Sequence, residues 1–148
     1  MGYVPKGAEW YLARLVEQIT VEGDSRNVIH TNLVLVRADS PEEAYQKALD
    51  LGAQGEITYD NRHGQSVTIR FRGLRELGVI HDPLKHGTEL EYEEHLDMDE
   101  AAIKEWISRK EDLSVFAPIR PSAGPDYGSR EVVEELHRRW PHLRPKPE

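Results

Sequence analysis

The chain of 148 residues contains no cysteine. That excludes disulfides, thiolate zinc sites and a cysteine nucleophile together, and it suits a reducing cytoplasm. No apolar run approaches the ~20 residues that a membrane-spanning helix needs. The opening MGYVPKGAEW lacks the basic and long apolar regions of a secretory leader, so a soluble cytoplasmic protein is expected. Positive charge is scarce too, with 27 acidic side chains against 19 basic ones and a net charge of −8. Phosphate binding releases counterions only to a cationic surface, so the balance argues against general nucleic-acid binding. Glycine-rich phosphate cradles and a G-x-S-x-G nucleophile elbow are also missing.

What is present begins with a helix start. Ser40, Pro41 and Glu43 have capping-box spacing: the serine oxygen accepts from the Glu43 amide, and the glutamate reaches back to the serine amide. Pro41 suits the first helical position, and Glu42 and Glu43 face the positive end of the helix dipole. Ala44, Tyr45, Ala48 and Leu49 mark one face, with Gly52 as the expected C-terminal cap.

Val28 to Ala38 is rich in β-branched residues and reads as a central strand leading into that helix. Trp10 to Val21 reads as a strand on the period-2 face of Tyr11, Ala13, Leu15, Ile19 and Val21. A helical stripe of Leu12, Leu15, Val16 and Ile19 is the alternative. A second hairpin is expected from Ile57 and Tyr59 through Asn61 and Gly64 to Val67, Ile69 and Phe71. The stretch from Arg75 to Gly87 reads as irregular, with a short edge strand at Val79-Ile80. Thr88 to Leu96, alternating Leu90, Tyr92 and Leu96 against Glu89, Glu91, Glu93 and His95, reads as the last strand. Asp97 and Glu100 resemble a cap for a helix carrying Ile103, Trp106 and Ile107.

Six of the nine prolines lie from Pro118 onward. The expected organisation is therefore an α+β domain over residues 8–112, a Pro/Gly-rich linker at 113–128, a helix at 129–141 and a tail at 142–148. The domain is an antiparallel sheet of four or five strands in the order β-β-α-β-β-β-α, followed by a C-terminal helical arm.

These landmarks resemble DUF4288, a bacterial family of domains of unknown function. The matching residues are Trp10-Tyr11 with Ala13 and Leu15, then Arg37-Ala38-Asp39-Ser40-Pro41-Glu42-Glu43-Ala44. They continue through Tyr59, Asn61, Gly64, Phe71, Gly73-Leu74, Asp82, Gly87-Thr88-Glu89-Leu90 and Tyr92. The resemblance covers about residues 10–95. It implies a small α+β fold of bacterial origin and no particular activity, cofactor or catalytic residue.

Three surfaces are candidates for function. Seven of the twelve residues from Glu89 to Glu100 are acidic. An acidic strand edge of Glu89, Glu91, Glu93 and Glu94, with Trp106 and the arm residues Arg138, Arg139 and Trp140, would dock a cationic protein partner or a second copy of the chain. A bland alternative is cross-strand pairing of those carboxylates with Arg70 and Arg72. His81, Asp82, His86 and Glu89 are the alternative, a loop that could ligate zinc in a small metal- or ligand-binding enzyme. Arg62, Arg70, Arg72 and Arg75 form the third, an RNA-binding strand, although Phe71 falls in the core phase. The leading expectation is a non-enzymatic protein–protein interaction module that needs no cofactor and no membrane.

Overall fold

The computed structural model describes residues 2–119 and 122–144. Among these the fold is α+β with an antiparallel sheet. Its four strands are β1 (Trp10–Val21), β2 (Val28–Arg37), β3 (Ile57–Asp60) and β4 (Ser66–Val79), in the spatial order β2-β1-β4-β3. The period-2 face decides β1: Tyr11, Ala13, Leu15, Ile19 and Val21 are all buried. The helical stripe would have split these residues from their neighbours, because alternate side chains leave opposite faces of a strand.

Helix α1 (Pro41–Gln54) starts where the sequence places it. Ser40 Oγ accepts from the Glu43 amide at 3.1 Å. Glu43 reaches one residue further back than expected, accepting from the Asp39 amide, and it pairs with Lys47 at 2.7 Å. Its carboxyl is held below the usual range, chiefly by the Lys47 hydrogen bond. The helix runs past Gly52 to a cap at Gly55. Gly52 serves packing instead: a Cβ there would lie 2.4 Å from the Phe71 ring, so the helix sits on the sheet at a spacing that only glycine permits. Ala44 and Ala48 complete the contact with Tyr11, Ala13, Leu15 and Val36.

Three expectations need correction. β2, expected to be central, is an edge strand paired with β1 alone; β-branched composition favours a strand but does not tell whether neighbours flank it on both sides. β4 runs unbroken to Val79, across the stretch read as irregular. Its register against β1 shifts at Arg14/Leu15 and at Val16/Glu17, which leaves Arg72 and Arg75 as extra residues. Each bulge resets the alternation, returning Leu74, Leu77 and Val79 to the core. Finally, residues 88–98 form no strand; Leu90, Tyr92 and Leu96 are exposed. The alternation there lacks a neighbouring strand, and alternation alone does not make one.

The chain separates into two compact units, dividing after Leu90 and after Ala123. The first and last stretches form the sheet unit, which also holds α3 (Arg130–Arg139) and a 3-10 turn at Pro141–Leu143. The middle stretch holds α2 (Glu100–Trp106) and a 3-10 turn at Lys110–Asp112. Asp99, not Asp97, caps α2, accepting from the Ala102 amide at 2.8 Å, while Asp97 adopts a left-handed φ of 57°. Residues 120–121 of the expected linker and 145–148 of the expected tail lie outside the described residues.

Candidate functional site

Among the described residues of the sheet unit, one face of the sheet is covered. Helix α1 packs on the face of Tyr11, Ala13 and Leu15. Further along the same face, Tyr127 from the C-terminal stretch joins Ile19, Val21, Val67, Val28 and Tyr59. Register then assigns the opposite face: Leu12 beside Leu35, Arg14 beside Leu33, Val16 beside Thr31 and Gln18 beside Ile29. On β4 the same face carries Arg70 opposite Gln18, Glu76 opposite Arg14 and Gly78 opposite Leu12. Ile29, Leu33 and Leu35 are 53%, 53% and 45% exposed. A Cβ on Gly78 would meet open space. Trp10 ends the row, with the Arg37 guanidinium 6.0 Å from its ring centre. Three branched apolar side chains in one exposed row are a contact surface by composition, since soluble proteins seldom leave such rows uncovered.

Backbone phase adds a second property. The Ala38 amide bonds the Glu9 carbonyl at 3.0 Å. Hydrogen-bonded pairs alternate along an antiparallel ladder, so the even residues of β2 bond to β1 and the odd ones point away. Ile29, Thr31, Leu33 and Leu35 therefore turn their N–H and C=O groups to the outer edge, where no partner is found among the described residues. At the strand's end, Lys47 Nζ already donates to the Arg37 carbonyl at 2.9 Å.

The other edge is closed. Asn61, fully buried, accepts from the His63 and Gln65 amides and donates to Gln65 Oε1 and the Asp126 carbonyl. The Tyr59 hydroxyl donates to the Tyr127 carbonyl, Arg62 Nε meets Asp126 Oδ2 at 2.8 Å, and Asn61 bridges to Ser129. Burial raises the Tyr59 pKa, helped by the nearby Tyr127 and Asp126. Residues Pro125 to Ser129 thus act as a strap over β3.

The residues singled out from sequence are scattered by comparison. Glu89 belongs to the sheet unit, whereas Glu91, Glu93, Glu94 and Trp106 belong to the middle unit. Glu93 pairs with His95 at 3.4 Å, and the His95 ring meets Trp106 edge-on at 4.6 Å. Arg138 and Arg139 both pair with Glu135, at 3.1 and 3.0 Å, and Trp140 is exposed. His81 and Asp82 line an open cleft of about 580 Å³ with Lys6, Trp10 and Leu84, and His81 stacks on Tyr3. No group of three or more His, Cys, Asp or Glu among the described residues is arranged to hold a metal ion, so His81, Asp82, His86 and Glu89 do not converge on one. Arg62 is committed to Asp126, while Arg70, Arg72 and Arg75 are exposed on β4. Phe71 points into the core, which removes the aromatic that an RNA platform would stack on.

Sequence reading missed Ile29, Leu33 and Leu35 as a surface. Apolar residues on both phases of Leu33 to Val36 carry no mark that distinguishes a doubly covered strand from one awaiting a partner. The scarcity of charge in β2, where Arg37 alone is ionic, was the available signal.

Among the described residues, no helix is long and apolar enough to cross a membrane. The family model for a domain of unknown function, DUF4288, matches residues 10–91, which span β1 through β4. No curated protein and no solved structure matches the chain.

Proposed function

We propose, from the premise that the chain belongs to the DUF4288 family, that this protein is a non-enzymatic interaction module receiving another polypeptide at β2. One observation carries the reading: the residues with outward-pointing backbone groups, Ile29, Thr31, Leu33 and Leu35, are the same ones that line the uncovered face. Main-chain hydrogen bonds supply affinity in such strand addition, and alternate side chains supply selectivity. Leu12 and Val16 on β1 continue the apolar row inward from β2, on the side away from an added strand. The acidic stretch from Glu89 to Glu100 lies outside the sheet, so the contact surface moves from the acidic residues to β2. In this reading the module works in a reducing compartment, in keeping with its lack of cysteine.

The test is photo-crosslinking in cells that produce the protein, with the crosslinker at Leu35 and a control at Glu42 on α1. Adducts above the mass of the chain should form from Leu35 and be absent from Glu42. Equal yields from both positions, or none from Leu35, would overturn the proposal.

A further inference from the structure

The interaction reading leaves the occupant of β2 open, and the strand itself narrows the choice. Natural sheets blunt an exposed edge with lysine, proline, a bulge, short length or a covering segment. β3 is four residues long and strapped. β2 is ten residues long, contains neither lysine nor proline, and pairs with β1 in regular register throughout. Among the described residues, Lys47 on the Arg37 carbonyl is the one guard at this edge.

We infer that the occupant is a second copy of the same chain, with β2 pairing antiparallel to β2 about a two-fold axis at Asn32. This rests on the interaction reading and adds the identity of the partner. The register follows from the free groups. Ile29, Thr31, Leu33 and Leu35 are centred on position 32, so only this alignment uses all four on both copies. It sets Leu35 against Ile29, both exposed and apolar, and Leu33 against the half-buried Thr31.

Two further features suit the axis. Asn32 is half-buried, and its side-chain amide forms no hydrogen bond with other described residues. An amide carries both donors and an acceptor, so on a two-fold axis it satisfies its own copy. Charge also permits the pairing. Arg37 is the one ionic residue of β2, and the alignment places it opposite Asn27 of the other copy. The two Arg37 side chains then stand ten residues apart along the joint, roughly 34 Å at the rise of a strand. That exceeds the ~8 Å Debye length at physiological salt several-fold. Helix α1 borders the Leu35–Arg37 end of the strand, where Lys47, Asp50 and Leu51 line a groove beside it. The two-fold therefore sends the two helices to opposite ends of the joint.

The full chain tests this directly, because it has no native thiol. A residue on the axis of such a pairing faces its copy at a Cα separation of ~4.5 Å, within disulfide reach. Asn32→Cys should form a reducible dimer under mild oxidation, whereas Leu35→Cys, roughly 20 Å from its copy by strand rise, should not. Light scattering of the unaltered protein should give twice the 17.0 kDa chain mass. Thr31→Pro removes only an outward amide, and Leu33→Lys adds an edge charge. Both should return the single-chain mass with an unchanged circular dichroism spectrum, and with a melting temperature that, unlike that of the unaltered protein, does not depend on concentration. A single-chain mass for the unaltered protein at its highest soluble concentration, a dimer surviving both substitutions, or equal crosslinking from positions 32 and 35 overturns the inference. A monomer that still yields foreign adducts from Leu35 would sink self-pairing while leaving the interaction module standing; a monomer without adducts would sink both.

Discussion

The sheet ends in two edges that the chain treats oppositely. β3 is short and is fastened by Asn61, Tyr59 and Arg62 to a strap drawn from the C-terminal stretch. β2 is more than twice as long, and among the described residues only the Arg37 carbonyl of its outward backbone groups has a partner, Lys47. The fold therefore has the means to close an edge and uses them once. The difference separates a structural boundary from a working one: polar side chains concentrate where the chain binds itself, and leucines where it does not.

The largest way to break this contrast is at the closed edge. Asn61→Ala removes four hydrogen bonds from a buried position and leaves the Asp126 carbonyl and the turn amides unpaired. The expected loss is ~3 kcal/mol in urea unfolding, with hydrogen exchange at residues 126–129 rising together. Gly52→Ala tests the covered face against the free one. The Phe71 ring must move, so a loss of ~2 kcal/mol is expected despite the better helix propensity of alanine. The same change at Gly78 should be near neutral in the same assay.

Tyr59→Phe is milder, at ~1 kcal/mol, because one hydrogen bond to the strap disappears. It also has a pH signature. Folding raises the Tyr59 pKa, so its contribution is complete below the ordinary value of 10.0 and is lost as pH climbs through the raised one. Alkaline melting curves of Tyr59→Phe should be flatter than those of the parent protein. Smallest of all is the hairpin leading into β2. Hydrogen bonds from the Arg26 side chain and then its backbone amide hold Asp24 at about 2 instead of 3.8. Asp24 therefore supports the fold above 3.8 and ceases to do so as pH falls toward about 2. Asp24→Asn should therefore be slightly less stable than the parent protein at neutral pH, with the difference vanishing in acid titration as pH falls toward about 2.

How much of this was legible depended on whether the information was local. The start of α1 could be read because Ser40, Pro41 and Glu43 interact with one another and with little else. The buried face of β1 could be read because alternation survives in its sequence. β4 was lost after Phe71 because two bulges, at Arg72 and Arg75, put the apolar residues out of phase, and a bulge is defined by the partner strand. The false strand at 88–96 is the converse case, an alternating pattern with no neighbouring strand among the described residues. The candidate site was invisible for a related reason. Whether Leu33 and Leu35 are core or surface is decided by which face α1 and Tyr127 cover, and β2 itself records that only in its scarcity of charge.

The strap has one more consequence, for the order of events during synthesis. Asn61 waits for a carbonyl 65 residues further along the chain. At roughly 5–20 residues per second, the nascent β3 hairpin leaves the ribosome several seconds before its fastening exists. Through that interval both margins of the sheet stand bare, and a newborn molecule is at its most adhesive.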